Sequence, residues 1–423
     1  MEFGSRAFIA ADFITGSPYL DQCIYPKPTA FDNDCDGHGT HVAGTLGGVT
    51  YGAAKGVTIR SVKVCAPQTY GCPTDVIING VNWVTADHQG NPSTPALANM
   101  SISGPITAGV DNAIINSINS GVTYVVAAGN NCGDASLRSP AHITAALTVG
   151  ASNSASSRVL AFPFGGCSNF GGVVDLFAPG AFVLSSISTS DTATDLYDGT
   201  SMASPHVAGA VALYLQGRAG MANCSAYPIQ NPSSALGGAI STCPDRVARL
   251  INSNANLNRL TNVNGTDASG NPVYSPNRFL WTASVPSTTN PGDNQRFFVW
   301  QQYSDFLPYD PDEGGLDFWT SQITSHCGVG FNGNNACSRT YRASVSKEFF
   351  RVAFPTAFNN NSEFVHLCYE AYLRRSVPNN DGGFQFWLGQ LNSYGTPASE
   401  AGKDSIIDAF ITCGEYRQRF GQP

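Results

Sequence analysis

Between about residue 56 and residue 185, short apolar runs alternate with stretches whose apolar residues recur at helical spacing. "GVTIRSVKV" reads as a strand, "TDVIINGVNWVTADH" as a helix, "ALANMSIS" as a strand, "GVDNAIINSINSG" as a helix and "VTYVVAAGN" as a strand. That order predicts right-handed βαβ units around a parallel sheet. Further strands are predicted at "AALTVGAS", "VVDLFAPG" and "FVLSSIS", and a helix from Ser201 to Gln216. The pattern then stops: "SVPSTTNPGDN", at 284–294, is rich in Ser, Thr, Pro and Asn and has no apolar period, as a linker does. Beyond it helical spacing returns with many aromatics, and one block occurs twice. Tyr303, Leu307, Asp312, Gly314, Gly315, Phe318 and Trp319 have counterparts in Tyr369, Leu373, Asp381, Gly382, Gly383, Phe386 and Trp387. The predicted fold class is therefore α/β, a parallel sheet with flanking helices over 1–283, followed by a small all-α domain over 295–423.

Composition narrows the reading. Only 12% of residues are charged while Gly and Pro number 44 and 25, which favours tight turns over long solvated helices. A net charge of -8 disfavours nucleic acid as a partner, because phosphates select basic faces. No apolar run approaches the roughly 18–20 residues of a membrane span. The 12 cysteines fall into neighbouring couples: Cys23 with Cys35, Cys65 with Cys72, Cys132 with Cys167, Cys224 with Cys243, Cys327 with Cys337, and Cys368 with Cys413. Pairing in that order is the simplest expectation, although spacing alone leaves connectivity open. Structural disulfides are favoured over metal ligation, since there is no Cys-x-x-Cys, and they place the protein in an oxidising, extracellular compartment.

Three stretches carry chemistry: "DGHGTHVAG" at 36–44, "VVAAGNN" at 125–131 and "GTSMASPHVAG" at 199–209. Each alone is compatible with a small-residue helix packed closely on a sheet. Together they supply what acyl transfer needs, a nucleophile, a base and donors for the developing oxyanion. Ser201 opens a helix, where the dipole favours negative charge. His38, between Gly37 and Gly39, is an uncrowded imidazole suited to general-base work. Asn130, ending an apolar strand, can offer its side-chain amide. "GTSMA" is not the Gly-x-Ser-x-Gly elbow, and His38 with His41 is not His-Glu-x-x-His, so α/β-hydrolase and zinc-peptidase chemistry fit worse.

On these residues, residues 4 to 283 resemble the subtilisin-like serine peptidases, in particular the proteinase K-like branch. The resemblance implies a subtilisin-like domain acting on polypeptides, with Ser201 as nucleophile, His38 as general base and Asn130 in the oxyanion hole. It also implies that Ser101, Ile102, Ser103 and Gly104 form the edge that pairs with an extended substrate, and that Ala127, Ala128 and Gly129 floor the pocket beside it. Ser103 stands where the branch usually shows Gly. His41 and His206 are packing residues in that family. A structural Ca²⁺ is implied at Asp175 with backbone oxygens near Thr144 and Ala146, which are hard donors of the kind calcium takes. A secreted monomer is expected.

One member is missing. The family's Asp ends an apolar strand upstream of the His, and "MEFGSRAFIAADFITG" resembles instead the segment that follows that strand, so Met1 reads as an internal start. Asp12 lacks the following Gly turn, and Asp32, Asp34 and Asp36 fit less well still. The resemblance thus leaves a second reading, a non-catalytic subtilisin-like protein that binds polypeptides or surfaces. The repeated C-terminal block resembles a domain of unknown function appended to secreted bacterial proteins. Its expected role is binding or assembly, with a surface or carbohydrate partner for its tryptophans as the sharper version.

Overall fold

The computed structural model describes residues 2–14, 34–66, 71–216, 244, 247–248, 251–252, 255–257, 259–280, 294–307, 313–328, 335–373 and 375–418. Their contacts form two units, one lying within residues 2–280 and one within 294–418. The linker read at 284–294 lies outside the described residues except for Asn294.

The first unit is α/β, as its pattern predicts. A six-stranded sheet runs in the order β3 (Leu97–Met100), β4 (Thr123–Ala127), β5 (Leu147–Ser152), β6 (Leu176–Pro179), β12 (Arg278–Phe279), β9 (Asn256–Leu257). All its pairs are parallel except the last. β4 and β5 are buried at every position, as strands covered on both faces must be, and they read as continuous apolar runs for that reason. Separately, β1 (Ala7–Asp12) pairs in parallel with β2 (Ile59–Lys63). Among the described residues β2 and β3 are each paired on one side only.

Helices fill the crossovers. α3 (Ala108–Ser120) buries Val110, Ala113, Ile114, Ser117 and Ile118, a stripe at i, i+3, i+4, i+7 and i+8, and it ends on Gly121 in the left-handed region. α2 (Thr74–Gly90) buries Val76, Ile77, Gly80 and Val81 on one face. Both helices close over Met100, Tyr124 and Val126 of β3 and β4. α1 (His38–Gly47) packs on α4 (Thr200–Leu215) and on β7 (Val183–Ser186), which pairs with β8 (Thr194–Tyr197). α4 is buried nearly all round, from Thr200 and Met202 to Tyr214 and Leu215, and packs against β3, β4, β5 and β6. A helix without a polar face belongs inside, and this one sets the depth of everything at its first turn. A short hairpin of β10 (Gly265–Thr266) and β11 (Pro272–Val273) completes the unit.

The second unit is helical among its described residues, with helices at Gln295–Phe306, Glu313–Cys327, Ala336–Ala353, Asn361–Leu373, Gly382–Asn392, Glu400–Thr412 and Gly414–Gln418. The second copy of the repeat explains its own residues. Asp381 caps Gly382–Asn392 by accepting from the Phe384 N–H at 2.9 Å. Gly383 leaves room for the Tyr369 hydroxyl, 2.7 Å from where a Cβ would stand. The aromatic pairs have the same geometry in both copies. Phe318 lies edge-on to Trp319 at 5.1 Å and Phe386 to Trp387 at 4.9 Å, with the tryptophans half-buried and each Phe 56% exposed.

Disulfides join Cys65 to Cys72, Cys132 to Cys167 and Cys327 to Cys337. Cys35 is also disulfide-bonded, but its expected partner Cys23 lies outside the described residues, as do Cys224 and Cys243. The expected bond between Cys368 and Cys413 is absent, and both are free thiols. Cys368 is buried in a helix, where burial pushes its thiol well up, whereas the Cys413 sulfur accepts from the Tyr416 N–H at 3.3 Å. Adjacency in a count of cysteines carries no information about these orientations. Alkylation after unfolding without reductant is expected to modify Cys368 and Cys413 and to leave Cys65, Cys72, Cys132, Cys167, Cys327 and Cys337 unmodified, read by peptide mass mapping.

Candidate active site

Of the residues singled out from sequence, Ser101, Ile102, Ser103, Ala127, Gly129, Asn130 and Ser201 meet around the carboxyl ends of β3 and β4 and the first turn of α4. The chain leaves β4 through Ala127, Ala128 and Gly129, all buried, and reaches Asn130. Gly129 has φ 98°, and a Cβ there would stand 2.6 Å from Asn169 Nδ2 and 2.7 Å from Ser103 Oγ. Only glycine fits both the dihedral and the space. Asn169, fully buried, ties down the turn by accepting from the N–H groups of Asn131 and Gly133 and donating to the Ala128 carbonyl and the Asn131 side chain.

Thr200 fixes the orientation of Asn130. Its N–H donates to Asn130 Oδ1 at 2.9 Å and its hydroxyl donates to the same oxygen at 2.8 Å, while that hydroxyl accepts from the Gly129 N–H at 3.1 Å. With its oxygen held by two donors, the amide has a single satisfied orientation, and its NH₂ end is the one left for a ligand. The Ser201 N–H, in the open first turn of α4, has no acceptor among the described residues.

Ser201 is held by Ser101 in a reciprocal pair. Ser201 Oγ donates to the Ser101 carbonyl at 3.3 Å, and Ser101 Oγ donates to the Ser201 carbonyl at 2.8 Å. The second bond exists because of Pro205. In an uninterrupted helix the Ser201 carbonyl would accept from the N–H of residue 205, which proline lacks. Asn99 extends the link, donating to Ser101 Oγ at 3.1 Å and accepting from Ser204 Oγ at 2.5 Å.

His38 is half-buried at the start of α1. Gly37 before it has φ 89°, the left-handed conformation that turns the chain into the helix. Asp34 and Asp36 spend oxygens on that turn: Asp34 accepts from the N–H groups of Gly37 and Thr40 and from the Thr40 hydroxyl, and Asp36 accepts from the His38 N–H. Burial holds the His38 imidazole below its ordinary value, with Asp36 and Asp34 pulling in the opposite direction. Among the described residues no carboxylate hydrogen-bonds the His38 ring, and Asp12 accepts instead from the Ile14 N–H. His41 is fully buried, stacked on Tyr197 at 4.4 Å and within 3.0 Å of the Val183 carbonyl, while His206 contacts the Met202 carbonyl at 2.9 Å.

A cavity of about 340 Å³ opens beside Ser201. Ile102, Ser103, Ala127, Gly129, Asn130, Thr200 and Ser201 line it, with Asn131 and Arg138 also on its wall. Gly104, the last of the expected edge residues, pairs its backbone with Ser139. Sequence reading missed Thr200, Asn169, Asn99 and Arg138. Thr200 and Asn99 stand inside quoted stretches, but Asn169 and Arg138 carry no local signal.

Asp175 lies apart from this cleft. Its carboxylate accepts from the Thr148 N–H at 2.8 Å and from the Asn252 amide at 2.9 Å. Thr144 is exposed and Ala146 buried just before β5. Asn252 is 2% exposed, and among the described residues its buried Oδ1 has no partner. An orphaned oxygen beside a carboxylate, next to a turn rich in carbonyls, is a donor set compatible with a hard cation. Among the described residues no three His, Cys, Asp or Glu side chains form a metal cluster.

The profile of the Peptidase S8 subtilase family matches residues 17–265. The chain is 48% identical over 206 residues to an extracellular serine proteinase of Thermus sp. strain Rt41A, covering 49% of this chain and 45% of that protein. It is 37% identical over 266 residues to alkaline serine exoprotease A of Vibrio alginolyticus, covering 63% and 41%. The chain thus spans under half the length of these two relatives. Among solved structures, a cold-adapted subtilisin-like serine proteinase superposes with a TM-score of 0.50 at 35% identity, over 66% of this chain and 83% of that one. Gly129→Ala is expected to cost about 1–3 kcal/mol of stability, because the new methyl must displace Asn169 or Ser103 at a dihedral alanine resists; a denaturant titration checks it.

Proposed function

The chain belongs to the subtilase family, and from that premise we propose that it is a secreted serine endopeptidase whose acyl transfer is carried by Ser201, His38 and Asn130. The observation that carries the reading is the Thr200 clamp on the Asn130 oxygen, which leaves the amide NH₂ as the end available to a ligand on a residue that lines the same cavity as Ser201. An extended polypeptide pairs along Ser101, Ile102, Ser103 and Gly104, over the floor of Ala127, Ala128 and Gly129. Ser201 Oγ releases the Ser101 carbonyl, passes its proton to the neutral His38 imidazole and attacks the scissile carbonyl carbon. The oxygen that becomes negative is met by the Ser201 N–H and Asn130 Nδ2. His38 then returns the proton to the leaving amine, and water repeats the sequence on the acyl-enzyme.

Because no carboxylate holds the His38 ring among the described residues, turnover by this chain is expected to be low. In enzymes of this design, loss of that carboxylate costs about 10⁴-fold. The same observation favours the second reading, a polypeptide-binding protein without catalysis. A fluorophosphonate probe separates the two. Labelling of Ser201, abolished in Ser201→Ala and strongly slowed in His38→Ala, is the outcome for a peptidase, and an unlabelled Ser201 favours the binding protein. The labelling rate is expected to fall on acidification with a midpoint below the ordinary imidazole value of about 6.5, since burial disfavours the protonated ring.

Calcium is proposed as a structural ligand, held by Asp175 with backbone oxygens of Thr144 and Ala146 and supplying charge neutralisation at the start of β5. Added Ca²⁺ is expected to raise the melting temperature, and Asp175→Asn to abolish the increase. The region 295–423 is proposed as a separate binding module. Its exposed Phe318 and Phe386, each against a tryptophan, support an apolar surface or carbohydrate as what it meets. The enzyme itself is read as a monomer.

A further inference from the structure

Arg138 carries the only full charge on the wall of the cavity beside Ser201 among the described residues. Its backbone is fixed. It follows the short helical turn Ala135–Leu137, its N–H donates to the Ala135 carbonyl at 3.1 Å and its carbonyl accepts from the His142 N–H at 2.9 Å. The next residue, Ser139, exchanges two backbone hydrogen bonds with Gly104, at 2.9 and 3.1 Å. Arg138 is thereby tied to the segment along which a substrate would pair. Its half-buried side chain makes no hydrogen bond or ion pair among the described residues. Of the acidic groups nearest in sequence, Asp134 accepts from the Ser136 N–H and Asp111 pairs with His142 at 2.9 Å, and neither pairs with Arg138 among the described residues.

A guanidinium partly withdrawn from water and without a counterion is set up to receive one. Geometry says which part of a ligand meets it. With the scissile carbonyl carbon at Ser201 Oγ and its oxygen toward Asn130, the side chain of the residue contributing that carbonyl enters the cavity that Ser201 and Asn130 share with Ile102, Ser103, Ala127, Gly129 and Arg138. We propose that Arg138 is the specificity residue of this pocket and that the protein selects polypeptides with a carboxylate side chain, above all glutamate, on the acyl side of the scissile bond. This rests on the serine-peptidase reading of the same site. The other polar groups lining the cavity, on Ser103, Asn130, Asn131, Thr200 and Ser201, are neutral, so a carboxylate meets no repulsion and can take paired N–H bonds from the guanidinium. A lysine side chain would be opposed by like charge in the same space.

The test uses three peptidyl diphenyl phosphonates, Ala-Ala-Pro-Xaa with Xaa Glu, Gln or Lys, and measures the rate of Ser201 modification by mass spectrometry. The Glu probe is expected to react about tenfold faster than the Gln probe at low ionic strength, with Lys slowest, and the gap should shrink as salt is added. Arg138→Gln should bring the Glu rate down to that of Gln, and Arg138→Glu should make Lys the fastest. Equal Glu and Gln rates in the unaltered chain, or a Glu preference that survives Arg138→Gln, overturn the proposal. If none of the probes modifies Ser201, the serine-peptidase reading falls, and equilibrium titration with the tetrapeptide amides ending in Glu or Gln judges the pocket by itself. Tighter Glu binding that Arg138→Gln removes then supports the pocket, and equal affinities overturn it.

Discussion

Thr200 and Asn130 are 70 residues apart in the chain and meet through two hydrogen bonds to a single oxygen. That contact joins the start of the central helix to the end of a central strand. Because Thr200 is almost fully buried, its hydroxyl has to be satisfied by protein. The Asn130 oxygen and the Gly129 N–H satisfy it, and as a result the amide direction, the Gly129 turn and the position of Ser201 are set together. Freedom in any one of them would leave a buried polar group unpaired, at a cost comparable to about 1–3 kcal/mol.

The depth of α4 gives this clamp something rigid to act against. A helix apolar all round has no face to offer solvent, so it is packed by four strands and by α1. Pro205 removes one hydrogen bond from that helix, and the vacancy is taken up by Ser101 from the segment next to the cleft. The helix that bears Ser201 and the segment expected to bind substrate are thus directly bonded, with Asn99 and Ser204 closing the ring behind them. His38 stands at the first position of α1, a helix packed on α4, and the start of α1 depends on Asp34 and a left-handed Gly37.

In the helical unit the same economy appears in simpler form. Asp381 and Gly383 form one local device in the second copy, a cap for the helix and a clearance for Tyr369. Periodicity and capping residues are local properties, so the helices, the repeat and the parallel sheet were all legible before any coordinates. The free thiols of Cys368 and Cys413 were not, since whether two sulfurs meet depends on the packing of separate helices.

The division for the whole chain follows from the range of the interactions. Sequence alone determined the α/β order of elements and the residue types that acyl transfer demands, because alternation and short motifs act within a few residues of the backbone that carries them. It named Ser201, His38 and Asn130 without being able to orient them. Only the tertiary structure decided which way the Asn130 amide faces, that the Ser201 hydroxyl rests on Ser101, and that Arg138 shares a cavity with both. Those facts are set by contacts between residues tens of positions apart, where hydrogen-bond satisfaction and exclusion of water act only once the chain has closed on itself.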